Sequence, residues 1–229
     1  MPLPPRPAPL PAEPIRILFE DEHLFGIVKP AGLPTANAPR GAPSLFTRLQ
    51  DRGPVGGFLG IVSRLDAPVS GVVVVAKTSA AAADLSRQFR ERSVAKHYLA
   101  VVTGRFPAPL GTWVEWHDEI GEPAKAAHVR CRVVRRAGEV SLVELEPTTG
   151  RRHQLRIQLA SRGCAIVGDR AYGSRLPCAA GGIALHAARL EFTHPDTGEP
   201  QMLFAECPDR WRAAFPSLFP RPSPDGRGR

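Results

Sequence analysis

"SRLDAPVSGVVVVAK", residues 63–77, is the stretch on which the reading of this chain turns. Its second half, "GVVVVA" (71–76), is apolar throughout and carries four consecutive valines. A strand with one wet face alternates apolar and polar residues, whereas an unbroken β-branched run suits a strand covered on both faces. This run is therefore expected at the centre of a sheet. The first half raises a different question. Arg64 and Asp66 stand at the mouth of that buried strand, where a charge is costly to desolvate unless a partner compensates it. Taken alone, Asp66 suits either a turn aspartate that bonds the backbone of "APVSG" or a carboxylate kept charged for chemistry.

Working outward, "IRILF" (15–19) alternates as a strand does, and "LFGIVKPAGL" (24–33) reads as a second strand closed by Lys29-Pro30 and a turn at Gly32. Residues 34–58 are rich in Pro, Gly and Ala and carry no clear period. After the valine run, "SAAAADLSRQFRER" predicts a helix with Ala81, Leu85 and Phe89 on one face. "KHYLAVVTG" (96–104) is a strand, and "HVRCRVVRR" (128–136) and "VSLVELEP" (140–147) form a hairpin through Ala137-Gly138. "TTGRRHQLRIQLASRG" (148–163) predicts a helix capped by Thr148 or Thr149 and ended by Gly163. Two further strands, 183–192 and 201–206, flank a turn-rich loop, and 209–215 is a short closing helix. Strands in hairpin-like pairs predict an α+β fold with a mixed, largely antiparallel sheet flanked by helices and loops. One domain over 15–218 is expected, between a proline-rich tail at 1–14 and a second tail at 219–229.

The 229 residues are 43% hydrophobic, enough for a core, and no run of about 18 apolar residues suggests a membrane span. The N-terminus lacks the apolar segment of a secretory signal. Four scattered cysteines without a Cys-x-x-Cys pair argue against a zinc site and suit a reduced, cytoplasmic protein. Lys plus Arg exceeds Asp plus Glu by 30 to 22, giving a net charge of +8. Such an excess suits a polyanionic partner, although a GC-rich genome also favours arginine.

The remaining charged stretches are ambiguous one at a time. Arg152 and Arg156 lie four residues apart on the expected helix, where they could reach a buried carboxylate or form a solvated basic face. Tyr98 in its strand suits a core tyrosine. In order along the chain, however, Arg64-Leu65-Asp66 with Ser70-Gly71, Lys96 to Gly104, Gly150 to Arg156, Gly168 to Gly173 and Leu185 to Ala187 resemble the motifs of the RluA-type RNA pseudouridine synthases. "VKPAGLPT" (28–35) matches that family's early Lys-Pro-Ala-Gly segment, and the resemblance runs from about Ile15 to Phe215.

The resemblance implies a pseudouridine-synthase-like sheet with a central active-site cleft, and a reaction. A uridine in ribosomal or transfer RNA loses its N1–C1′ bond, the uracil turns while bound, and C5 rejoins C1′, with no cofactor and no metal. Asp66 would attack as nucleophile or take a sugar proton. Arg156, with Arg152 as the alternative, would keep it charged. Tyr98 would stack on the uracil and help remove the C5 proton, and Leu185 would wall the pocket. Arg64 would fill the space left by a flipped-out base. A monomer is expected. Ser63, Val69 and Gln158 depart from the family's usual His, Thr and His, which bears on the choice of RNA target. The competing reading from another class is an RNA-binding or RNA-folding factor on the same scaffold. An aspartate-dependent glycoside hydrolase fits poorly, since no second acid accompanies these motifs.

Overall fold

The computed structural model describes residues 14–39, 41–50, 57–179 and 181–220. The two tails expected at 1–14 and 219–229 lie almost wholly outside them. In chain order the elements are β1 (Arg16–Glu20), β2 (Leu24–Lys29), α1 (Leu45–Gln50), β3 (Gly60–Ile61), β4 (Ser70–Ala76), α2 (Ser79–Glu91), β5 (Ala95–Thr103), β6 (Val114–Ile120), β7 (Lys125–Ala137), β8 (Val140–Pro147), α3 (Gln154–Ala160), β9 (Leu185–Thr193), β10 (Pro200–Phe204) and α4 (Asp209–Ala214). A 3-10 turn at Arg170–Tyr172 lies between α3 and β9. The strands form one sheet in the order β1-β2-β4-β9-β5-β8-β7-β6, with β10 on β9 and β3 on β4. The β4–β9 pair is parallel and the other described pairs are antiparallel.

The valine run behaves as its composition predicts. All seven residues of β4 are buried, and the strand lies between β2 and β9. Alternation sends its side chains to two separate cores. Val72, Val74 and Ala76 pack with Ala81 and Leu85 of α2, while Val73 and Val75 meet Leu45 and Leu49 of α1. Each buried valine is worth about 1.5–3 kcal/mol, an upper figure because the unfolded chain already hides some surface. α2 starts where Thr78 accepts a hydrogen bond from the Ala81 amide at 3.1 Å, an N-cap that satisfies one free donor of the first turn. Its buried face is Ala81, Leu85 and Gln88, with Phe89 at the margin.

The join between β4 and β9 explains two of the motifs. Ser70 lies opposite His186 and Gly71 opposite Ala187. A Cβ on Gly71 would stand 2.3 Å from the Ala187 carbonyl oxygen, and the residue has φ of 124°, so only glycine lets the strands approach. Ser70 Oγ and His186 Nδ1 are 2.9 Å apart, and His186 Nε2 is 3.1 Å from the Ala205 carbonyl oxygen. A carbonyl only accepts, so Nε2 carries the proton and Nδ1 accepts from Ser70. Burial pulls the His186 pKa down to about 4, so the ring stays neutral.

Two expectations fail. α3 is shorter than the 148–163 helix read from the sequence, and neither threonine caps it. The Thr149 hydroxyl instead accepts from the His128 amide at 2.8 Å and donates to Gln154 Oε1 at 2.7 Å, latching the turn to β7. Residues 150–153 form that turn, and His153 ends it with φ of 56°. Arg152 is therefore off the helix and exposed, not one turn before Arg156 on a shared face. The strand β6 was also unforeseen.

Candidate active site

Asp66 sits in the loop that leads into β4, and the loop is tied down on both sides. Gly32 N–H donates to the Ala67 carbonyl at 2.7 Å, and Ile183 N–H donates to the Pro68 carbonyl at 3.2 Å. Thr35 Oγ1 donates to the Leu65 carbonyl at 2.8 Å and accepts from the Leu65 amide at 3.1 Å. Lys29 is completely buried, and its ammonium donates to the carbonyls of Pro30, Leu33 and Ala67 at 3.0, 2.7 and 3.2 Å. Burial pulls its pKa down to about 7, opposed by the nearby Asp66 carboxylate. The early Lys-Pro-Ala-Gly segment thus forms the bed on which the Asp66 loop rests.

Arg156 approaches from α3. Its Nη1 donates to Asp66 Oδ2 at 3.0 Å. Its Nε and Nη2 grip Asp169 Oδ2 and Oδ1 at 2.7 and 2.8 Å, a two-point fork. The Arg156 and Asp169 side chains are 8% and 2% exposed, against 28% for Asp66. Burial acts to lower the guanidinium pKa, but the hydrogen bonds to Asp169 and Asp66 outweigh it and the net shift is upward. Asp66 Oδ1 has no hydrogen-bond partner among the described residues.

Tyr172, in the 3-10 turn, lies 4.8 Å from ring centre to the Arg156 guanidinium carbon. Its hydroxyl is 2.7 Å from His153 Nδ1, and His153 Nε2 stands 3.6 Å from Asp66 Oδ2. Burial lowers the His153 pKa, opposed by Asp66 and reinforced by Arg156 and Arg152, so the ring is neutral at neutral pH. Tyr98 lies at a register shift in β5, opposite Ala187 of β9 and Leu145 of β8. Its phenol is pushed up to about 12, first by burial and then by Asp66, so it is held protonated. Leu185, 4% exposed, begins β9 in the core cluster that also receives Tyr98 and Leu65.

Asp66, Arg156 and Tyr98, scattered in sequence, thus converge, while Leu185 shares a core cluster with Tyr98. Arg64 is exposed, with no hydrogen bond or ion pair among the described residues. Lys29, His153, Asp169 and Tyr172 were not foreseen as members of the site. Each lies within a motif already noticed, but nothing in the sequence says that they touch. Of the departures from the family pattern, Val69 is buried in the core and Gln158 ties α3 to β6 and β7, donating to Asp118 Oδ2 at 2.7 Å and the Ala127 carbonyl at 3.1 Å.

The sequence model of the RNA pseudouridylate synthase family matches residues 23–161. The chain belongs to that family. Curated relatives place it with the RluA type. It is 36% identical over 198 residues to the Dual-specificity RNA pseudouridine synthase RluA of Yersinia pestis, covering 80% of this chain and 95% of that protein. It is also 36% identical over 229 residues to the Ribosomal large subunit pseudouridine synthase D of Nitrosomonas europaea, covering 90% of this chain. The chain spans 66% of the Nitrosomonas protein's length. Among solved structures, Human RNA Pseudouridylate Synthase Domain Containing 1 matches with a TM-score of 0.71 and 26% identity, over 86% of this chain and 84% of that one. Human RNA Pseudouridylate Synthase Domain Containing 4 has the same fold, with a TM-score of 0.71 at 24% identity over 88% of this chain and 92% of that one. The expected fold class and enzyme class, an isomerase of the pseudouridine synthase type, are those of the family. No helix among the described residues is long and apolar enough to cross a membrane.

Proposed function

We propose that this pseudouridine synthase converts a uridine of large-subunit ribosomal RNA to pseudouridine, with Asp66 as the catalytic group. The observation that carries the reading is the state of the Asp66 carboxylate. One oxygen is held by Arg156, and the other is unengaged in a side chain that is 28% exposed. A partly exposed carboxylate anchored through one oxygen can present the other to a substrate. Ribosomal RNA is favoured over transfer RNA by the names of relatives such as the Nitrosomonas synthase.

The reaction rearranges bonds within one nucleotide. The N1–C1′ bond breaks, the freed uracil turns, C5 bonds to C1′, and the C5 proton leaves while N1 gains one. Asp66 either attacks C1′ or removes a sugar proton, and both routes require it ionised, which Arg156 favours. Tyr98, as neutral phenol, offers its ring to the base. The Asp66 charge is one of the two causes that raise its pKa, and that cause vanishes once the carboxylate is esterified or protonated. To take the C5 proton Tyr98 must first pass its own phenolic proton to solvent, and loss of the Asp66 charge lowers the cost of that ionisation. A uridine in folded RNA must leave its stack to reach Asp66, at a cost of a few kcal/mol. Arg64, two residues away and unpaired, takes the vacated space. Leu185 walls the pocket. The catalytic unit is residues 15–218, acting as a monomer in the cytoplasm.

The test is pseudouridine mapping across total RNA from cells with and without the protein, paired with purified Asp66→Asn. Asn is close in shape but can neither attack nor accept the proton. The variant should bind RNA and form no pseudouridine. A wild type that binds RNA and modifies nothing would favour the RNA-folding factor instead.

A further inference from the structure

A second concavity, of about 590 Å³, opens beside the site. Its walls are the end of β5 at Thr103 to Arg105, the β7–β8 turn with Arg136 and Glu139, and the loop after the 3-10 turn with Gly173 and Arg175. Three arginines face one glutamate. Arg136 is anchored, since its Nη2 donates to the carbonyls of Ala108 and Phe106 at 2.5 and 3.4 Å. Arg105 and Arg175 are exposed, with no hydrogen bond or ion pair among the described residues. Elsewhere Arg87, Arg132, Arg162 and Arg189 are engaged by carboxylates. A Cβ on Gly138 or Gly173 would meet nothing within 4 Å, so the backbone between the arginines is open to close approach.

We propose that this cleft binds phosphates of the RNA strand that flanks the target uridine. The inference rests on the function proposed above and extends it to a second contact. The cleft is linked to the reacting centre in two ways. Gly173 directly follows Tyr172, which packs on Arg156. Thr103 lies five residues beyond Tyr98 along β5, about 17 Å at the rise of a strand. An A-form RNA duplex rises less per nucleotide than the 3.4 Å of B-DNA, so about 17 Å spans at least five nucleotides of one strand. RNA with its target at Asp66 can therefore lay its backbone across the cleft at least about five nucleotides away. Guanidinium groups suit this task, since their planar donors match phosphate oxygens. With one carboxylate among three guanidinium groups, the cleft keeps a net positive field.

The test compares two RNAs: a short stem-loop around the target, and the same stem-loop extended by about eight nucleotides on each side, enough to span the estimated offset. Arg105→Gln/Arg175→Gln removes two phosphate contacts. Arg16→Gln/Arg90→Gln removes the same charge from β1 and α2, and thermal melts confirm that both variants fold. Two contacts contribute about 1.4–1.8 to the salt slope, so wild type should lose about 7–12-fold more affinity for the extended RNA than the cleft variant between 50 and 200 mM salt. Neither the short RNA nor the control variant should show that difference. Equal losses in both double variants, or an effect on both RNAs alike, would overturn the proposal. Inorganic phosphate that binds with the same Arg105 and Arg175 dependence, while the flank adds no affinity, would make the cleft a site for a free anion and overturn it too. Product formation separates the two ideas. Wild type that shows the cleft effect but makes no pseudouridine sinks the synthase reading alone. Wild type that makes pseudouridine while the cleft variant keeps the full slope sinks the cleft alone.

Discussion

Asp169→Asn tests whether the fork on Arg156 holds the site together. Asp169 makes two charge-assisted hydrogen bonds, at 2.7 and 2.8 Å, in a place where both partners are at least nine-tenths buried. An asparagine keeps the shape but presents one oxygen and one NH2. Whichever way it turns, one guanidinium N–H then faces another donor. Removing a partner from a buried ion pair costs about 3–5 kcal/mol. Arg156 keeps one hydrogen bond to the new amide and its bond to Asp66, so the low end applies, about 3 kcal/mol. For a chain of this length each kcal/mol lowers Tm by about 2–4 °C, which predicts a fall of about 6–12 °C. There is also a consequence for catalysis. With its fork unanchored, Arg156 can swing and engage both oxygens of Asp66, so single-turnover pseudouridine formation should drop even at 25 °C, where the variant is still folded. Arg156→Lys gives the comparison, because it keeps the charge but cannot bridge two carboxylates at these angles. The assays are thermal unfolding followed by tryptophan fluorescence and rapid-quench turnover on the same preparations. An Asp169→Asn protein that melts within about 2 °C of wild type would refute the reasoning. Arg156 would then be placed by α3 and Tyr172 alone.

Lys29 predicts a pH effect with a definite sign. Its pKa is about 7 in the fold against an ordinary 10.5, so between those values the unfolded chain binds more protons and stability rises with pH, by at most about 1.4 kcal/mol per unit. Below pH 7 the cost of burying the charge is fully present; urea melts at pH 6, 8 and 9.5 should show the rise in wild type and not in Lys29→Met, and parallel curves would contradict it. Gly71→Ala drives a Cβ to 2.3 Å from the Ala187 carbonyl and should cost more than about 3 kcal/mol, whereas Gly32→Ala, with φ of 87° but open space, should cost about 1–2; equal losses in denaturant titrations would remove the close-approach argument. Arg64→Ala should cut turnover on structured RNA while leaving the salt slope of binding unchanged, and an unpaired target should recover part of the loss. If affinity falls together with the slope and turnover is kept, Arg64 is a phosphate clamp.

The parts of the fold that were legible in the sequence are those where both faces or one clean face are buried. Four valines in a row could only be satisfied between two cores, and α2 advertised its period. The strand β6 gave no such signal. It is the edge strand, and "VEWHDEI" buries only Trp116 and Ile120 fully, so its apolar positions are too few to outvote its charges. The start of α3 was misread for another reason. Thr149 has the chemistry of a cap, but its hydroxyl is claimed by His128 and Gln154, and the competition between a local cap and a distant strand is invisible without tertiary structure. The same limit applies to the site. Chemistry alone asked only for some counter-charge at the mouth of the buried strand; the pairing of Asp66 with Arg156, with Arg152 as the alternative, came from the family resemblance. The contribution of Asp169 depends on a loop folding back over α3.

Asp169 explains how a buried cation can support a carboxylate without disabling it. An arginine alone with one aspartate tends to bind it through two parallel hydrogen bonds, which engages both oxygens. Here Nε and Nη2 grip Asp169, and Nη1 makes a single hydrogen bond to Asp66 Oδ2. Asp66 is held through one oxygen, and its other oxygen, in a partly exposed side chain, has no hydrogen-bond partner among the described residues. Tyr172 covers the guanidinium carbon at 4.8 Å, and its hydroxyl lies 2.7 Å from Nδ1 of His153, whose pKa is lowered by burial first. The clamp therefore fixes the cation that meets Asp66, so that Asp66 is held through one oxygen by a group that cannot itself move freely.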